Sequence, residues 1–119
     1  PPGLRAWLLG YAMIPTPEDL ARNMPRLAEA MEAVEARKGK QYATDLMIVL
    51  TLVNNIEAAM AVLMHAATAH GCMDAPVVQD LYQSMIGRSK TLGERLGVEW
   101  PEVVSLSKLV VSDLFSNRH

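Results

Sequence analysis

From Gln41 to His70 the chain runs without a proline or a glycine, the longest such stretch in it, and this run constrains the fold more than any other feature. Its apolar residues are too many for a surface helix, so the polar and small ones carry the information. At about 100° per residue, Thr51, Asn54, Ala58, Ala61, His65 and Thr68 make one narrow stripe. Leu46, Ile48, Val49, Leu52, Val53, Ile56, Met60, Leu63 and Met64 fill the remaining arc. The pattern predicts a central helix from about Asp45 to His70 with most of its circumference buried. Leu46 to Leu50 taken alone would also suit a buried strand, but the pattern continues far past the roughly 4–8 residues of a strand. A membrane span needs about 20 apolar residues. It would here carry Asn54, Asn55 and Glu57 near mid-bilayer, where ionisable groups are costly, so a soluble core helix is the better expectation.

The flanking segments read as helices too. Half of the 119 residues are apolar and only 5% aromatic. Aliphatic side chains on good helix formers favour helix packing over a sheet. Leu4, Trp7, Leu8 and Tyr11 lie on one face of a short N-terminal helix, an arm that must be covered by this chain or a neighbour. Thr16-Pro17-Glu18-Asp19 starts the next helix with a cap, a proline in the first position and acids in the first turn. Leu20, Met24, Leu27, Met31 and Val34 give it a seam, Pro25 predicts a kink near Ala21 to Asn23, and Gly39 ends it. Gly71 to Met73 connects the central helix to a third, capped at Asp74-Ala75-Pro76, with Val78, Leu81, Tyr82, Met85, Leu92 and Leu96 as its apolar face and Gly87 as a weak point. A last helix from about Pro101 to Ser116 carries Val103, Leu106, Val110 and Leu114 on one face, with Val104, Val111 and Phe115 beside it. The expected fold is all-α, a single helical domain over 1–119, with four main helices in a bundle and a short N-terminal helical arm.

The formal charge of −2, with both signs interspersed, gives no bulk attraction to nucleic acid or anionic lipid. Cys72 is the only cysteine, which excludes an intramolecular disulfide and a zinc site built on several thiolates, and suits a cytoplasmic setting. Leu4 to Ile14 lacks the charge and cleavage pattern of a signal peptide.

His65, His70, Cys72 and Asp74 are residue types that ligate zinc or copper, the basis for a metal-binding reading. Histidines five apart on a helix diverge by about 140°, however, so no metal is expected. A Cys–His nucleophile pair would have to form in space, and a small helical enzyme stays an alternative on that ground. Gly87-Arg88-Ser89-Lys90-Thr91 has phosphate-loop residues, but Ser84 stands where the first glycine belongs and no strand precedes it. Thr51-Leu52-Val53-Asn54-Asn55 with Gly87-Arg88-Ser89 resembles the helical substrate domain of hydroxyacid dehydrogenases of the 3-hydroxyisobutyrate type. That family has a lysine where Thr51 stands, and a dinucleotide-binding domain that is not found here, so no activity is carried across.

Leu92-Gly93-Glu94-Arg95-Leu96-Gly97-Val98, followed by Val103 and Leu106, has helix-turn-helix spacing. A DNA-binding reading over residues 91–108 would use Arg88, Lys90, Arg95 and Lys108, although the second helix is poor in base-reading side chains. The expectation that ranks first is a non-enzymatic interaction module without cofactor, a homodimer or a binder of a protein or peptide. Its interface would use Val104, Val111 and Phe115, with Trp7 and Tyr11 of the arm at the edge.

Overall fold

A computed structural model describes residues 14–71 and 73–116, with side chains as far as Asp113. The fold is all-α: five helices take up 89% of the described residues, with no strand among them. They are α1 (Pro17–Asn23), α2 (Pro25–Lys38), α3 (Lys40–His70), α4 (Ala75–Leu96) and α5 (Trp100–Ser116). The expected N-terminal arm with Trp7 and Tyr11, and Cys72, lie outside the described residues, and so does the side chain of Phe115.

The single kinked helix expected before Gly39 is two helices. Thr16 caps α1, its hydroxyl accepting from the Asp19 amide at 3.2 Å. Pro25 disfavours helical geometry in the residue before it, and Met24 accordingly leaves the helix at φ −136°, ψ 68°. The chain restarts with Pro25 in the first helical position, where its missing N–H costs nothing. Met24 offers no side-chain cap, and the gap is filled from far along the chain: the Leu27 amide donates to the Asp113 carboxylate at 3.2 Å. Asp113 is 2% exposed, and its neighbour Ser112 accepts from Arg26 Nη1 at 2.6 Å. Gly39, at φ 94°, is the entire link between α2 and α3, a backbone shape that disfavours any side chain.

α3 has 31 residues, so it spans about 46 Å. It passes through two separate apolar clusters. The larger joins α1, α2, α5 and the first half of α3 around Met24, Leu27, Leu46, Val49, Leu50 and Val103. The smaller joins the second half of α3 to the first half of α4 through Ile56, Met60 and Val78. Burial around most of the circumference is therefore reached only in the first half. Thr51 of the expected polar stripe is buried there, donating to the Met47 carbonyl at 2.7 Å, while Val62 in the second half is 66% exposed.

α4 also turns differently from its apolar pattern. Val78 is buried, but so are Ser89 and Gly93, whereas Leu81, Leu92 and Leu96 are exposed. The small residues mark the packed side: Gly93 faces Val49, whose Cγ1 would lie 3.7 Å from a Cβ built on the glycine. α4 continues through Gly87 and ends at Gly97 in a left-handed cap, where the Val98 amide returns to the Gly93 carbonyl at 2.8 Å.

Candidate interaction face

Because α3 and α4 are antiparallel, helical geometry decides which of their uncovered residues share a side. α3 points Ile56, Met60 and Ala67 at α4; α4 answers with Val78, Tyr82 and Met85. About 90° from that contact, α3 carries Ile48, Ala59 and Val62, and α4 carries Val77, Leu81 and Leu92 on the same side of the pair. The opposite side is occupied. Glu57 there sits beside Tyr82, whose hydroxyl is held above the usual range by burial and then by that carboxylate. Leu50, Val53, Asn54 and Glu57 also border a 360 Å³ cleft under Ser107, Lys108 and Val111 of α5. One side of the hairpin is thus packed against the rest of the chain and the other is an apolar face. On it Val62 is 66% exposed, Val77 55%, Leu81 43% and Ile48 38%.

The same geometry places the charges on this face. Asp74 begins α4, and Arg88 and Arg95 lie nearer its end on the strip of Leu81 and Leu92, beside a shallow groove with Ser84 and Thr91. Among the described residues none of these three charges enters an ion pair. At the face's centre, the side-chain oxygen of Asn55 is buried without a hydrogen-bond partner. Less than half of the most apolar 18-residue window of α3 is buried, at 44%, although its mean hydropathy of 1.9 makes the helix long and apolar enough to cross a membrane.

A polar cluster fixes the other end of the fold. Glu102 on α5 accepts from Arg37 Nη2 at 2.9 Å and from the Tyr42 hydroxyl at 2.7 Å, so α2, α3 and α5 meet at one carboxylate. Burial raises the Glu102 pKa, but these two hydrogen bonds and the nearby Lys38 outweigh it, and the net shift is downward. The Tyr42 oxygen accepts from the Glu99 amide, and Lys38 spans Glu99 at 2.7 Å while lying 4.6 Å above the Tyr42 ring. Each partner is engaged by another within the cluster, so it reads as a clamp for α5.

The residues singled out from sequence are only partly brought together. Val104 and Val111 lie on one strip of α5, and Val111 is 50% exposed. Arg88 and Arg95 share the α4 strip, but Lys90 is about 200° round the helix from Arg88, and Lys108 borders the cleft beside Glu57. The four therefore do not form one basic patch. His65 and His70 come closer than their divergence suggested, with ring centroids 6.4 Å apart and edge to face. Among the described residues no three His, Cys, Asp or Glu side chains converge as a metal site. The α3/α4 face escaped the sequence reading because Leu81, Leu92 and Leu96 share a period with residues that are buried. The available signal was Ser89 and Gly93, whose small side chains mark the closer side.

No known protein family, curated protein or solved structure matches this chain.

Proposed function

We propose that this chain is a non-enzymatic helical interaction module that associates with a second copy of itself through the α3/α4 face. The observation that carries the reading is the concentration of exposed aliphatic side chains on one side of a hairpin whose other side is packed. Monomeric proteins scatter such residues, and an apolar strip running the length of two helices marks an association surface. The α5 strip, first in rank from the sequence, offers two valines among its described side chains and is the second choice.

Sedimentation equilibrium at micromolar concentration tests the reading. As concentration rises through the micromolar range the wild-type chain is expected to pass from monomer to dimer, Val62→Asp to stay a monomer and Val111→Asp to dimerise like the wild type. A dimer dissolved by Val111→Asp but not by Val62→Asp would move the interface to α5, and a monomeric wild type would end the proposal.

A further inference from the structure

We infer that the two copies meet with α4 against α4 in antiparallel register, about a twofold axis passing between Ser84 and Met85. This rests on the α3/α4 face being the self-association surface, and adds the orientation and the pairing.

The argument starts from the distribution of charge along α4. Its strip begins with an acid, Asp74, and ends with bases, Arg88 and Arg95, with Val77, Leu81 and Leu92 between them. A closed pair of identical chains must be self-complementary, so any contact one copy makes is returned by the other. Parallel alignment would set Asp74 on Asp74 and Arg95 on Arg95. Antiparallel alignment about Ser84 and Met85 instead sets Asp74 opposite Arg95 of the second copy, twice over. The same register lays Val77 on Leu92 and Leu81 along the aliphatic stem of Arg88. Apolar and charged positions are thus matched together by one axis, using charges that have no ion pair among the described residues.

α3 is consistent with that axis. Gly93 lies beside Val49, which brings the level of the axis to about Glu57 and Ala58 on α3, next to Ala59 of the outer face.

The area sets the strength. Val77 to Leu92 is about 23 Å of helix, and with the lines of the flanking turns the strip runs nearly 30 Å; two helices about 10 Å apart present a face about 20 Å wide. The product, roughly 550 Å² per copy, falls short of the roughly 800 Å² of a standard specific interface, so a weak dimer is expected, one that dissociates on dilution through the micromolar range.

Charge reversal is the test, since Asp74 makes no side-chain capping bond that the change would remove. D74R, R95D and the double variant D74R/R95D are compared with the wild type by sedimentation equilibrium at low salt, with far-UV circular dichroism to confirm the helices. Each single reversal sets like charges together at two symmetric places, and is expected to raise Kd about tenfold. The double variant is expected to return to within about twofold of the wild type. V77D, which puts a carboxylate against Leu92 and disturbs no cap, is expected to raise Kd about a hundredfold. If the double variant is no tighter than the singles, the antiparallel register is wrong while the face remains the dimer surface. If V77D leaves the dimer unchanged, α4 is not at the centre. A wild type monomeric at every concentration would overturn the self-association itself.

Discussion

Replacing Asp113 with alanine should destabilise the chain out of proportion to the size of the side chain. Among the described residues, Asp113 is the only side chain that caps the start of α2, where Met24 has none to offer and Pro25 interrupts the helix before it. In Asp113→Ala the Leu27 amide loses a buried charge-assisted hydrogen bond, worth about 1.5–3 kcal/mol. The positive end of α2 loses the carboxylate that faces it, which adds up to about 1 kcal/mol. A total of about 2–3 kcal/mol follows, because the two contributions overlap. For 119 residues the unfolding entropy makes 1 kcal/mol equal to about 4 °C, so the melting midpoint should fall by about 8–12 °C. Asp113→Asn keeps an acceptor and loses the charge, and should fall about half as far. Ser112→Ala, which removes only the exposed bond to Arg26, should stay within about 0.5 kcal/mol of the wild type. Thermal and urea melts followed by circular dichroism at one fixed protein concentration measure all three. If Asp113→Ala melted with Ser112→Ala, the cap would not be what holds α2 to α5.

Other perturbations address the rest of the fold. Glu102 has a folded pKa below its ordinary 4.5, so its contribution is fully present above that value and is lost as pH falls through the depressed one. The gap in melting midpoint between wild type and Glu102→Gln should therefore be constant at neutral pH and narrow as pH falls below 4.5. Gly87 has open space around it inside a continuous helix, and Gly87→Ala should stabilise by about 0.5–1 kcal/mol, raising the urea midpoint. Ile56→Ala, in the smaller cluster, should cost about 2–5 kcal/mol, and an unchanged melt would show that the second half of α3 is misplaced.

Period and punctuation made the helices legible: the run from Gln41 to His70, Thr16-Pro17, Gly39 and Gly97 locate four boundaries without reference to any contact. Which side of each helix is covered was less legible, because an apolar stripe wider than one partner needs has two equivalent edges. In α4 the choice was made by Ser89 and Gly93, and their smallness matters only once Val49 stands opposite. Asp113 was unreadable for a different reason. A single acid near the end of a helix resembles any solvated residue, and its role depends on a helix start 86 positions earlier in the chain. The clamp around Glu102 likewise joins residues that no local pattern links.

α3 belongs to both clusters, but the two halves of the chain it joins are unequal. Around its first half α1, α2 and α5 exclude water together with the end of α4; around its second half, among the described residues, α4 alone does. Opening the hairpin tip between Ala61 and Val77 therefore breaks few contacts outside the hairpin, whereas opening the region of Val49 dismantles the larger core. Backbone amides on the two sides of Ile56 should exchange with deuterium at different rates, those beyond it through partial openings that leave α1, α2 and α5 in place. Association through the outer face would slow exchange chiefly in the second half, and would make the unequal protection of this single helix depend on protein concentration.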